Sequence, residues 1–241
     1  MVIGDDLYYD KEGTVMRDNF IKYFNINVKY FPDYKFSDEF LEKQKKLPRN
    51  CYWFDKIFQY HKFNLFDTYF KRWDYIFYID CNIKIYSDIS QILNTKIKNT
   101  LLANRDGVDK ENAETCVPET PNDGLKIGDQ FIKTDPIYEL LKKNYNTKLP
   151  YFQTTVMLYD TNIINENTLS NLYNTLFLYP TSVTNDQGII ALYFTQIEPC
   201  WKQLQRKNNE DLYFYDYVRC IDKQYIMLKS TSNDYLNIGY V

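Results

Sequence analysis

Residues 75–89 read YIFYIDCNIKIYSDI. Tyr75 to Ile79 is an apolar and aromatic run of strand length. It stops on a carboxylate, Asp80, and Asn82 follows two residues later. A short unbroken apolar run suits a strand buried on both faces. In open α/β sheets, ligands sit beyond the carboxyl ends of strands, and Asp80 stands at such an end. If the chain stays extended, Asp80 and Asn82 point the same way. Oxygen ligands of this kind suit Mg²⁺ or Mn²⁺ held jointly with substrate phosphates. Asp and Asn are also ordinary turn residues, so the motif alone leaves both readings open.

Working outward, residues 52–72 carry Phe54, Ile57, Phe58, Leu65, Phe66, Tyr69 and Phe70 at helical spacing, which predicts a helix. Lys62 falls four residues after Phe58 and four before Phe66, inside the apolar stripe. A lysine there needs an anionic partner or must snorkel to solvent. Asp80 and a ligand phosphate are the two anionic candidates. Further strands are predicted over MVIG, INVKYFPD, IKIY, TLLANRD and YFQTTVMLYDT, with one or two more within 209–229. Helices are predicted over TVMRDNFIKYF, SDEFLEKQKKLP, DPIYELLKKNY, NENTLSNLYNTLF and, after a cap signal, TNDQGIIALYF. Residues 107–130 are polar and rich in Pro and Gly, which predicts a long surface loop. Strands alternate with helices and no linker composition interrupts them. The expectation is one α/β domain over 1–241 with a mostly parallel sheet flanked by helices.

Composition excludes several classes. Net charge is -3 with a pI near 5.3, so no basic excess points to nucleic acid. The cysteines are Cys51, Cys81, Cys116, Cys200 and Cys220: an odd number, widely spaced, without a CxxC. That pattern favours reduced thiols in a cytoplasmic compartment over a disulfide framework. The amino terminus lacks a signal-peptide pattern, and no apolar run approaches the ~18 residues of a membrane span. Tyrosine is abundant at 24 residues, but Asn, Lys and Ile are too, as in AT-rich coding, so the aromatics alone do not argue for a sugar-stacking platform.

The segment KFNLFDTYFKRWDYIFYIDCNIKIYSDISQIL resembles the core of GT-A fold, nucleotide-sugar-dependent glycosyltransferases. YFQTTVMLYDTNII resembles that group's F-N-S-G-V-M-L segment, and TNDQGIIALYF its D-Q-x-x-x-N helix start. The order and spacing of the three are similar to glycosyltransferase family 8 and related viral or bacterial members, over about residues 50–200. The resemblance implies a GT-A (Rossmann-like) fold and a nucleotide-diphosphate-sugar donor, a UDP-sugar first of all. It implies a hydroxyl acceptor on a protein or glycan, and retention of anomeric configuration.

The same resemblance assigns residues. Asp80 matches the first aspartate of an Asp-x-Asp motif, which touches the donor ribose or its metal. Asn82 matches the second, the main metal ligand, but carries no charge here. Lys62 matches a helix lysine near the donor. Gln153, Thr154 and Thr155 stand where the group has Asn-Ser-Gly, at the donor. Asp186 and Gln187 match the acidic pair at the donor sugar, and Asp186 is the catalytic carboxylate the resemblance nominates. The residues also read as a helix start, where Asn185 or Asp186 caps. Arg105 and Asp106 end a strand, as donor contacts or as a surface ion pair. The implied cofactor is Mn²⁺ or Mg²⁺. A family 8 carboxyl-terminal metal histidine has no counterpart, since the one histidine is His61. The short start MVIGDD leaves little room for the usual base-binding strand and helix. Those two departures and Asn82 motivate the alternative of a degenerate, non-catalytic glycosyltransferase-like binding module. A nucleotidyltransferase, with acidic metal ligands beside a sheet, is a third reading. The coding bias and reduced cysteines fit a viral protein in host cytoplasm or an AT-rich bacterium equally.

Overall fold

The computed structural model describes residues 31, 34–47, 54–80, 83–85, 89–105, 126–204, 206–207, 211–212, 214–215 and 227–229. The expectations for residues 1–30, for Asn82 and for Asp106 lie outside the described residues, as does most of the predicted 107–130 loop.

Helix α1 (Asp38–Lys46) begins where Ser37 caps it: the Ser37 hydroxyl accepts from the Phe40 N–H at 3.2 Å. Acidic residues in its first turn and lysines in its last complement the helix dipole. Residues 52–72 were expected to form one helix. The structure has two 3₁₀ helices instead, Phe54–Phe66 and Thr68–Arg72. Asp67 divides them, because its carboxylate accepts from the Tyr69 N–H at 2.7 Å and caps the second one. The long segment buries Tyr60, Phe63, Leu65 and Phe66. Its seat on the sheet is fixed by the Tyr159 hydroxyl, which donates to the Leu65 carbonyl at 2.5 Å.

Strand β1 (Tyr75–Ile79) is followed by β2 (Ile83–Ile85), β3 (Leu101–Arg105), β4 (Phe152–Asp160) and β5 (Trp201–Gln203). The main sheet has the order β1-β4-β3-β5. β4 pairs antiparallel with both β1 and β3, and β3 pairs parallel with β5. The architecture is α/β, but the sheet is small and mixed, and the expected mostly parallel arrangement is corrected. The reason lies in β4, which inserts between β1 and β3 and runs antiparallel to both. Helix α2 (Ile137–Asn144) precedes β4 and is tied at its end to later elements. Asn144 donates to the Tyr179 hydroxyl at 2.8 Å, and the Asn146 N–H donates to Gln196 at 2.7 Å. β4 begins opposite Arg105, the last residue of β3, and runs back along it. The last five residues of the predicted loop are also not surface loop. Ile127–Gln130 form a 3₁₀ turn in which Ile127, Gly128 and Gln130 are buried.

Helices α3 (Thr168–Leu178) and α4 (Asp186–Leu192) follow β4, and a π-helical turn, Tyr193–Ile197, extends α4. They cover one sheet face, where Tyr78, Met157 and Tyr159 join Phe63, Phe66, Leu172, Ile189 and Phe194 in the main core. The other face is thinner: Leu102, Val156 and Leu158 pack with Ile92 and Leu204. Short strands close the described chain: β6 (Arg206–Lys207), β7 (Asp211–Leu212), β8 (Phe214–Tyr215) and β9 (Met227–Lys229). β9 pairs with β2 and β8. Among the described residues, no helix is long and apolar enough to cross a membrane.

Gly188 makes the start of α4 fit. A Cβ there would collide with the Ser182 hydroxyl and crowd the Gln130 side chain at 3.2 Å. Gly188→Ala should cost about 1–3 kcal/mol, as overpacked cores do. In a domain of this size that lowers the melting temperature by about 2–4 °C per kcal/mol. Adding Ser182→Ala should recover part of the loss, and calorimetry of the two variants checks it.

Candidate functional site

Because β4 runs against both its neighbours, β1, β3 and β5 point the same way. Their carboxyl ends share one edge of the sheet with the first residues of β4. Asp80 extends β1 at that edge, its N–H donating to the Thr155 carbonyl at 2.9 Å. Period-two alternation then puts Tyr78 and Asp80 on one face, the face covered by the long 3₁₀ helix and α4.

A bulge in β4 adds the next side chain. Met157 lies opposite Ala103 but Phe152 lies opposite Arg105, so β4 uses five residues where β3 uses two. The odd step switches the alternation, and bulges commonly re-aim a side chain in this way. Phe152 and Met157 both reach the main core, while Val156 packs on the thinner face. Thr154 is thereby turned toward the helices.

Four segments meet at Lys62. Its ammonium lies 3.1 Å from Asp80 Oδ1 and 3.2 Å from Asp186 Oδ2. It also donates to Thr154 Oγ1 at 3.4 Å. The Thr154 hydroxyl donates to Asp186 Oδ2 at 2.9 Å, and the Tyr78 hydroxyl to Asp80 Oδ1 at 2.6 Å. The ammonium also stands 5.4 Å from the centre of the Tyr78 ring. Of the anionic partners the sequence offers Lys62, the structure supplies Asp80 and adds Asp186. Lys62 and Asp186 are buried, whereas the Asp80 side chain keeps 20% of its surface exposed. Asp80 is thus the member of the cluster that faces outward.

Asp186 reaches this position through an unusual turn. Asn185 has φ 52° and ψ -113°, a positive-φ conformation that L-residues rarely adopt, outside the left-handed helical region. Its side chain donates to Gln59 at 2.9 Å and makes no cap hydrogen bond. Asp186 occupies the first turn of α4 and spends its carboxylate on Lys62 and Thr154. Gln187 sits beside it, accepting from the Thr154 N–H at 3.4 Å and donating to Gln130 at 3.3 Å. Gln130 also accepts from the Thr184 hydroxyl and donates to the Tyr151 hydroxyl at 2.6 Å.

The structure therefore brings Lys62, Asp80, Thr154, Asp186 and Gln187 into one cluster. Gln153 is buried beside Thr154 on β4, and Thr155 contributes its carbonyl to Asp80. Arg105 ends β3 on the same edge, its N–H donating to Gln203 at 2.7 Å. Asn82 and Asp106 lie outside the described residues. Sequence reading missed Tyr78 and Gln130. Tyr78 was detectable, two residues before Asp80 on an extended strand. Gln130 was not, inside a stretch that reads as surface loop.

A divalent ion finds only part of a site here. Among the described residues, no three His, Cys, Asp or Glu side chains group as metal ligands. Asp80 is the one outward carboxylate, and its Oδ1 is already held by Lys62 and Tyr78. Such an ion would need donor phosphates to complete its shell, as Mg²⁺ sites with one or two carboxylates commonly do.

A separate cavity of about 460 Å³ lies beside the amino ends of β3 and β5, with Leu149 and Pro150, which lead into β4, also lining it. Lys98, Thr100, Phe194, Cys200, Trp201 and Lys202 are among its lining residues, and no carboxylate is. Burial pushes the Cys200 thiol up to about 12, so it is a poor nucleophile at neutral pH. The cavity lacks the charged convergence of the Lys62 cluster, which is the better site candidate. Comparison with known families finds no matching family model, and no curated protein matches the sequence.

The cluster is electrostatically tight. Burial alone would lower the Lys62 pKa, but Asp186 and then Asp80 overcome it and hold the ammonium well above the ordinary lysine value. Burial pushes the Tyr78 phenol well above its usual range. Burial also raises the Asp186 carboxyl, with Lys62 opposing and Asp80 adding. Lys62 and Tyr78 both bind their protons more tightly folded than unfolded. Their contribution is therefore complete below their unfolded values of about 10, and it is lost as pH rises through the folded ones. Asp186 has the same sign, so its ionisation costs stability as pH rises from about 3.9. Denaturant titrations should show stability falling steeply above about pH 10, with a smaller fall in Lys62→Met. Lys62→Ala, which leaves the buried Asp186 and the half-buried Asp80 without their cation, should cost about 3–5 kcal/mol.

Proposed function

We propose that this protein is a GT-A-type glycosyltransferase that moves a sugar from a nucleotide-diphosphate donor, a UDP-sugar first of all, to a hydroxyl on a protein or glycan. One observation carries the reading. The three segments that resemble family 8 glycosyltransferases are separated by up to about a hundred residues, yet their polar residues share a single buried cluster at the carboxyl edge of the sheet. That edge is where α/β sheets bind ligands. A turn at Asp80 or a cap at Asp186 would not require a buried lysine to join them.

In this reading Asp80, the outward member, meets the donor. Lys62, Tyr78 and the β4 backbone hold it still, which matters because a fixed charge needs no reorganisation as the reaction proceeds. Asp186 is the carboxylate nearest the donor sugar, oriented by Thr154 and Lys62. Gln187 and Arg105 flank the two sides of the donor. Mn²⁺ or Mg²⁺, held by Asp80, Asn82 and the diphosphate, would supply charge stabilisation for the departing nucleotide.

The geometry also lends weight to a second reading, a glycosyltransferase-like module that binds without turnover. The Lys62 ammonium is committed to two carboxylates, so it is not available to the donor phosphates, and Asn82 brings no charge.

One experiment separates the two. UDP-, GDP- and dTDP-sugars are screened for binding and hydrolysis with Mn²⁺ or with EDTA, on wild type and Asp80→Ala. The enzyme reading expects Mn²⁺-dependent turnover of one donor and its loss by about 100-fold or more in Asp80→Ala, as removing one electrostatic group costs. Binding without turnover, indifferent to EDTA, supports the module. No binding by any nucleotide sugar sinks both.

A further inference from the structure

We propose that the region where α1, α2 and α3 finish is a docking surface for an anionic lipid membrane. Phe177 and Leu178 enter the headgroup layer there, and lysines of α1 and α2 meet the lipid charge. The proposal is independent of the donor-binding reading of the Lys62 cluster.

Two hydrogen bonds bring the three helix ends together. Gln44, in the last turn of α1, donates to the Pro180 carbonyl at 2.8 Å. Asn144, the last residue of α2, donates to the Tyr179 hydroxyl at 2.8 Å. Tyr179 and Pro180 directly follow α3. The last two residues of α3 leave apolar surface in water: Phe177 is 41% exposed and Leu178 60%. Tyr34, also exposed, extends that surface, its ring centre 6.0 Å from that of Phe177. One turn earlier on α3, Leu172, Tyr173 and Leu176 are all buried, so the exposure is confined to its end.

Charge selects the occupant. The last turns of α1 and α2 carry Lys43, Lys45, Lys46, Lys142 and Lys143. Lys45 pairs with Glu42 and Lys142 with Glu139. Lys43, Lys46 and Lys143 are exposed and have no ion-pair partner among the described residues. A last-turn lysine complements its own helix dipole, but that does not collect lysines from two helices around the exposed end of a third. The whole chain carries a net charge of -3, so the basic excess is local. Exposed apolar side chains ringed by lysines are what an anionic lipid surface binds: the first enter the boundary with the acyl chains, the second gain from the negative surface potential. The core of a protein interface is instead depleted in lysine. Among the described residues no helix can cross a membrane, so the association is peripheral.

The test is sedimentation of the whole chain with vesicles of phosphatidylcholine alone and with vesicles containing about one third phosphatidylserine. The wild type should favour the anionic vesicles by 10-fold or more, on the order of what a few surface lysines contribute. Replacing Lys43, Lys46 and Lys143 together by Gln should weaken that binding about 100-fold. Leu178→Ser should weaken it about 10-fold. All four positions are exposed, and thermal melting confirms that the variants fold. Failure of the wild type to sediment with either vesicle overturns the proposal. So does binding that survives the three Gln substitutions, or that is unchanged in Leu178→Ser. Binding of polyglutamate without binding of anionic vesicles gives the surface to an acidic protein segment and overturns it as well.

Discussion

The Lys62 ammonium is the constraint on which the rest of this structure hangs. A buried cation costs several kcal/mol in desolvation, and only close opposite charges offset it. Here Asp80 and Asp186 stand 3.1 and 3.2 Å away. Asp80 comes from the end of β1, Asp186 from the first turn of α4, Thr154 from the bulge of β4 and Lys62 from the long 3₁₀ helix. No two of these segments are neighbours in sequence. Meeting the lysine therefore fixes how the helical layer sits on the sheet as well as the charges at its edge. One cation facing two carboxylates leaves the cluster anionic, so the outward carboxylate stays able to meet a cationic or hydroxyl-bearing ligand.

Rigidity here comes from apolar packing as much as from charge. Tyr159 bonds the 3₁₀ helix to the sheet through the Leu65 carbonyl, and Phe63, Phe66 and Phe194 close around it. Gly188 lets α4 approach Ser182 and Gln130, which brings Asp186 inward. The positive-φ turn at Asn185 serves the same end. A polar chain of Tyr151, Gln130 and Gln187 then links α4 back to β4. Buried polar chains of this kind favour one arrangement because each broken member strands its partners.

Part of this was legible in the sequence. The apolar run before Asp80 placed β1, and the misplaced Lys62 signalled a buried anion. The alternation of strands and helices gave α/β content. Sheet direction was not legible, because an apolar run reads the same whether its strand pairs parallel or antiparallel, and β4 inserts antiparallel between β1 and β3. The break at Asp67 was hidden by an apolar period that runs through it. The bulge that aims Thr154 leaves no periodic trace, since YFQTTV reads as an even strand. Gln130 was lost inside a Pro- and Gly-rich stretch whose composition says loop, although its last residues are buried.

We propose that a nucleotide sugar binds at the carboxyl edge around Asp80. A crystal structure with Mn²⁺ and a non-hydrolysable UDP-sugar analogue tests it most directly. The expected result is the donor's ribose or its Mn²⁺ at Asp80, the sugar toward Asp186 and Gln187, and Lys62 still paired with both carboxylates. An analogue bound in the cavity between Lys98 and Trp201, with the Asp80 edge empty, would contradict it.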